Sequence, residues 1–266
     1  MSIFRIQREI VEVTPEPVAM LGNFKITSST LTSIFILILF LLFCFLVIRK
    51  YKIQPNKSQT LVEVFIESML DFIKQITGSE KYAQVLFPLI ASIFIYIGAS
   101  NLITILLPGL SSITIGDVAL FRSPTTDFNT TFGLAFGTLV LTHVVSIKDW
   151  GIGGHLGKFF KFKEVYLGFR KGLKSGVMAL INFAIGLLDI IGEIAKVVSL
   201  SLRLFGNMYA GEILAMIILG AFAYAIPLIW TAMNLLSAVI QALVFGSLVT
   251  AYYMLAVKIK EAREEV

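Results

Sequence analysis

Residues 31–48 read LTSIFILILFLLFCFLVI, a stretch without a charge that Arg49, Lys50 and Lys52 close. A helix of about 18–20 apolar residues crosses a hydrocarbon core about 30 Å thick, so this segment predicts a membrane span. Residues 85–107 and 130–147 predict two more. Asn101 lies in the latter half of the first, and the polar run PTTDFNTT at 124–131 leads into the second. Residues 59–76 have another rhythm. Glu63, Glu67, Asp71 and Lys74 recur once per helical turn, while Val62, Phe65, Ile66, Met69, Phe72, Ile73 and Ile76 fill the other face. That period predicts an amphipathic helix in the membrane interface. Pro108-Gly109 opens a Ser/Thr-rich loop, and residues 148–176, rich in Gly and Lys, read as a second loop. Residues 177–221 form a long helical stretch with five charges, and residues 226–260 a final helix whose positions 226–257 carry none. At 1.5 Å per residue the 177–221 helix is about 67 Å long, more than twice the hydrocarbon thickness, so it tilts strongly or runs along the membrane. The expected fold is an all-α integral membrane protein, one polytopic domain over residues 1–266. It has about five transmembrane helices, an amphipathic interfacial helix and a long, strongly tilted helix pair at the C-terminal end.

Composition excludes the soluble alternatives. Apolar residues are 57% of the 266 and charged residues 15%, against about 25% charged in globular proteins. Mean hydropathy is +0.87. The formal net charge of +5 is distributed by loop and does not point to nucleic acid. Six basic residues lie in 49–82 and seven in 148–176, while 108–131 has only Arg122 and 222–225 none; Lys258, Lys260 and Arg263 end the chain. Cytoplasmic loops carry the excess of Lys and Arg, so five spans place the N-terminus outside and the C-terminus in the cytoplasm. No cleavable signal peptide is expected, because residues 1–28 lack an uninterrupted apolar stretch. The single Cys44 allows no intrachain disulfide, and His143 and His155 are too few for a histidine-based site.

The charges of the long helix share a phase. With Asp189 as zero and about 100° per residue, Glu193 lies near +40°, Lys196 near −20°, Arg203 near −40° and Asn207 near 0°. Glu193 and Lys196 also have the i,i+3 spacing of a surface ion pair. Arg203, with apolar residues on both sides, is permanently charged, and such a group inside a span marks an ion path or a counter-ion site. Glu212 lies on another face, where it either carries a proton or pairs with the next helix. In the last helix Asn234, Gln241 and Tyr252 form a polar stripe that suits packing against the charged helix, and helix–helix hydrogen bonding alone also accounts for it.

The run SLSLRLFGNMYAGE at 199–212 resembles the signature of subunit a of F-type ATP synthases, the static half of the proton channel beside the rotating c-ring. NLITILLPGL at 101–110, PTTDFNTT at 124–131, KDWGIGGHLGKF at 148–159 and IQALVFGSLVTAYY at 240–253 are similar to further family segments. The resemblance implies that Arg203 is the essential arginine. It further implies that Asn207, Glu212 and Gln241 match polar positions of the outer path for protons, Asp189 a carboxylate position of the inner path and Tyr252 a polar position on the last helix. Glu193, Lys196 and Asn234, from the polar stripes of the two helices, are further candidates for proton translocation. Two positions depart from the family pattern: Val197 stands where a proline is usual, and Asn234 where many members carry a titratable partner for the Glu212 position. The resemblance implies a non-catalytic, ion-translocating subunit with no cofactor and no metal. Its implied partners are the c-ring rotor subunits, b-type peripheral stalk subunits, the rest of the F-type ATP synthase complex and the lipid bilayer, and not nucleic acid. Its implied location is the bacterial inner (plasma) membrane. A secondary transporter would show repeated halves with paired broken helices. An intramembrane enzyme would show metal ligands or a nucleophile–base set. The sequence displays neither.

Overall fold

The structure, a computed structural model, describes residues 17–21, 24–52, 54–106, 114–115, 118–119, 121–221 and 225–264. The Pro108-Gly109 turn and most of the short loop at 222–225 lie outside them. The described chain opens with an antiparallel ribbon of β1 (Pro17–Leu21) and β2 (Phe24–Thr27). Helices α1 (Ser28–Arg49), α2 (Lys57–Thr77) and α3 (Glu80–Leu106) follow. A second ribbon, β3 (Thr114–Ile115) with β4 (Val118–Ala119), and a 3-10 turn at Pro124–Thr126 lead into α4 (Phe128–Phe159). Then come α5 (Phe162–Lys171), α6 (Leu173–Ala221) and α7 (Ala225–Glu264). Five of these helices, α1, α3, α4, α6 and α7, are long and apolar enough to cross a membrane.

Helix α1 is built for lipid. Thr27 caps it by accepting from the Thr30 amide, and its buried residues are Ser28, Ser29, Thr32 and Ile36, while Ile38, Leu41, Leu42 and Phe45 are exposed. Polar groups turn inward because hydrocarbon offers them no hydrogen bonds. Helix α2 shows the amphipathic pattern expected of it. Met69, Ile73 and Thr77 are buried, Glu67, Asp71 and Lys74 are exposed, and Phe65 meets Phe94 of α3 at 6.1 Å between ring centroids.

The loop expected over 148–176 is mostly helical. Helix α4 continues to Phe159 through a kink at Gly151, whose φ of 68° and ψ of 165° lie in a region costly for a residue with a Cβ. Beyond it Phe162, Val165 and Phe169 recur at helical spacing, and Phe162 packs against Phe183 with ring centroids 5.0 Å apart. Of the glycines in this stretch, Gly151 and Gly172 take positive φ and sit at joints between helical pieces, while the others lie within helices.

Helices α6 and α7 are the longest, at 49 and 40 residues, or about 73 and 60 Å. Both exceed a core of about 30 Å, so they must tilt or extend beyond it. The chain divides into two compact units: residues Met1–Thr131 with Leu202–Thr250, and residues Phe132–Ser201 with Ala251–Val266. The first has a core of Ile73, Ile90, Ile97, Leu204, Phe245 and Val249. The second buries Ala135, Phe159, Val197, Tyr253 and Met254.

Candidate functional site

In the first unit, the segment leading into α4 is held by buried polar bonds. Asp127 accepts from the Ser29 hydroxyl at 2.6 Å and from the Asn129 amide at 2.9 Å. The Arg122 amide donates to Thr32 at 3.2 Å, and the Thr125 hydroxyl donates to Asn101. These bonds fix the segment between α1 and α3, and thereby place two of its side chains beside Glu212 of α6. Arg122 Nη2 stands 3.8 Å from Glu212 Oε2, and Thr126, whose hydroxyl donates to the Ser123 carbonyl at 2.9 Å, lines the same cavity as the carboxylate. Glu212 lines a cavity of about 370 Å³ together with Ile105, Ser123, Thr126, Met208, Ala215, Pro227, Trp230, Thr231 and Asn234.

Gly211 lets α7 approach α6 at this cavity. Its carbonyl accepts from Trp230 Nε1 at 3.2 Å and from Asn234 Nδ2 at 3.4 Å. Asn234 therefore bonds the backbone beside Glu212, and the ionic partner of Glu212 comes from the segment before α4. One helical turn earlier on α6, Asn207 exchanges hydrogen bonds with Ser237 at 2.9 and 3.2 Å. Gln241 is buried, and its Nε2, like Asn101 Nδ2, has no hydrogen bond among the described residues. Buried amides of this kind are commonly satisfied by ordered water.

The second unit holds a cavity of about 300 Å³ lined by Thr142, His143, Ser146, His155 and Phe159 of α4, by Ile185, Leu188, Asp189, Gly192, Glu193 and Lys196 of α6, and by Tyr252 and Leu255 of α7. Glu193 divides its two oxygens. Oε1 accepts from Lys196 Nζ at 2.7 Å, and Oε2 lies 3.9 Å from His143 Nε2. Lys196 Nζ also sits 5.1 Å from the Tyr252 ring centroid, within cation–π range. His155 Nδ1 bonds Ser146 Oγ at 3.0 Å, and its ring meets that of His143 at 5.2 Å.

The nine residues singled out from the sequence thus fall into separate places. Glu212 and Asn234 share one cavity; Asp189, Glu193, Lys196 and Tyr252 share the other. Asn207 pairs across to α7 and Gln241 is buried apart. Arg203 lines neither cavity and is exposed, as are Val198 and Leu202 near it. Thr126, His143 and His155 line these cavities and Arg122 stands beside Glu212; from the sequence, Arg122 and Thr126 carry no expected role, and the two histidines are too few for a histidine-based site. Arg122 had a usable signal, being the lone basic residue between two spans; the histidines, twelve residues apart across a glycine hinge, had none at helical spacing.

The sequence profile of the family described as "ATP synthase A chain" matches residues 30–254, most of the chain. The chain belongs to this family. Its relatives include the ATP synthase subunit a of Desulforamulus reducens, 34% identical over 208 residues that cover 75% of this chain and 67% of the relative. The subunit a of Moorella thermoacetica is 30% identical over 243 residues, 91% of this chain and 96% of the relative. That of Legionella pneumophila is 28% identical over 246 residues, 92% and 93%. As a member of the ATP synthase A chain family, this multi-pass membrane chain is a non-catalytic subunit of the F-type ATP synthase and serves as the proton-channel component of its membrane sector.

Proposed function

We propose that the two cavities are the protein walls of two proton half-channels, and that Arg203 keeps them apart. The observation that supports this reading is the distribution of charge along α6. Glu193 and Lys196 line one cavity, Glu212 lines the other, and Arg203 falls between them in chain order on an exposed, otherwise apolar stretch. Ionisable groups within spans are costly and are retained where they face water or a partner charge. The partner is a carboxylate on the rotor c-ring. Protonated, it can turn into lipid; opposite Arg203 its ionised form is favoured, because a nearby positive charge stabilises the anion. Arg203 also opposes direct passage of a proton from one half-channel to the other. Each charge that crosses is worth about 2.3 kcal/mol per 100 mV.

Asn207, Asn234 and Gln241 are polar walls of the path that contains Glu212, and Asp189 and Tyr252 of the path that contains Glu193. The unsatisfied amides of Gln241 and Asn101 suit hydrated surroundings. The chain sits as one polytopic domain in the bacterial plasma membrane, N-terminus outside and C-terminus cytoplasmic, with α2 along the interface. It faces the c-ring, b-type stalk subunits and lipid.

Arg203→Ala tests the reading in membrane vesicles carrying the assembled complex. Coupled pumping is expected to stop while passive proton permeability persists or rises. Coupled pumping retained in an assembled Arg203→Ala complex overturns it.

A further inference from the structure

We propose that His143 and Glu193 act as one proton relay within the second unit's cavity, with His143 the group that exchanges protons with water. The inference rests on the half-channel reading of that cavity and adds two relay residues to it. The geometry carries it. Lys196 engages Glu193 Oε1 at 2.7 Å and leaves Oε2 turned toward His143 Nε2, 3.9 Å away. That gap is too long for a direct hydrogen bond, and a small rotation of either side chain, or one water, closes it. The His143 ring is walled by His155 at 5.2 Å and Phe159 at 6.3 Å, and His155 is itself tied to Ser146. His155 is therefore a positioning residue.

The chemistry needs an imidazole here. The groups facing His143 in the cavity are Glu193, Lys196 and Asp189 from α6, His155 from its own helix, and Tyr252 from α7. In ordinary solution carboxyls titrate near 4, and ammonium and phenol groups at 10 or above; only an imidazole changes charge between about pH 5 and 8. A relay exchanges protons best when its affinity lies near the working pH. In the proposed step, neutral His143 takes a proton from water at Nε2 and becomes imidazolium. It passes that proton to the ionised Glu193 Oε2, and the imidazole returns to neutral. Glu193 then hands the proton onward and is ionised again. The reverse sequence serves the opposite direction of flow.

The test uses inverted membrane vesicles with the assembled complex, reading ATP-driven proton uptake relative to the unmodified complex at each external pH. His143→Gln keeps polarity and removes titration. Its relative rate is expected to fall about tenfold at external pH 8 and to recover toward pH 6, where protons are more abundant. Glu193→Gln is expected to give the same profile, and the double variant to be no slower than either single one, because the two residues act as a unit. A loss that is equal at every pH, rates within about twofold of the unmodified complex throughout, or losses that multiply in the double variant each overturn the relay. If the His143→Gln complex does not assemble, the Glu193→Gln profile decides by the same criteria. Arg203→Ala in parallel separates the two levels. Pumping that survives it removes the half-channel reading itself, whereas its loss beside a normal His143→Gln profile removes only the relay.

Discussion

Gly211→Ala is expected to loosen the contact of α6 with α7 beside Glu212, by an amount the structure allows to be worked out. A Cβ at this position would stand 2.8 Å from Asn234 Oδ1 and 3.3 Å from its Cγ and Nδ2. Ordinary contact begins near 3.4 Å, so the amide must retreat by about 0.6 Å. Overpacking of this kind costs about 1–3 kcal/mol, and loss of the Asn234–Gly211 hydrogen bond about 1 kcal/mol more. Alanine returns up to about 1 kcal/mol through its better helix propensity. The net cost is about 2 kcal/mol, or about thirtyfold in a local opening equilibrium. Amide hydrogen exchange on the purified complex reads this directly, as faster exchange in peptides covering 205–215 and 228–238. The sign is expected to reverse in the Asn234→Ala background, where no amide blocks the methyl group and only the helix propensity remains. Unchanged exchange in Gly211→Ala, or equal loosening in both backgrounds, refutes the close-approach argument.

Two further substitutions probe what holds Glu212. Arg122→Gln removes the charge 3.8 Å from the carboxylate. The cost lies between the roughly 1 kcal/mol of an exposed pair and the 3–5 kcal/mol of a buried one, so ATP-driven pumping in vesicles is expected to fall about tenfold or more; a wild-type rate would show that the pair is not needed. Asp127→Ala removes the acceptor for Ser29 and for the Asn129 amide. At about 3 kcal/mol for a buried, charge-assisted pair of bonds, the yield of complex that survives mild heating is expected to drop, whereas Thr30→Ala, at an exposed site, leaves it unchanged.

Hydrophobic run length was enough to find the spans, because the bilayer imposes one length scale on every crossing helix. The phase of Glu193 and Lys196 on α6 likewise anticipated that they would act together, since residues three apart share a helix face wherever the helix packs. Contacts between distant segments were not legible. Arg122 reaches Glu212 across ninety positions because Asp127, Thr125 and the Arg122 amide anchor the intervening segment to α1 and α3, and no periodicity encodes that. The helices within 148–176 were hidden for a different reason. Gly151 and Gly172 take positive φ, so glycine there marks joints between short helices, and counting glycines cannot tell a joint from a loop.

The two cavities use different means to keep a carboxylate in a span. Glu212 stands beside an arginine, which holds its charge at any working pH, and beside Asn234, which cannot titrate. Glu193 stands beside an ammonium on one oxygen and faces an imidazole on the other. Among the described residues that line the first cavity Glu212 is the one carboxylate, and its positive partner is Arg122. The second cavity gathers the imidazoles of His143 and His155 with Asp189, Glu193, Lys196 and Tyr252, and of these side-chain types the imidazole is the one whose ordinary range lies near neutral pH.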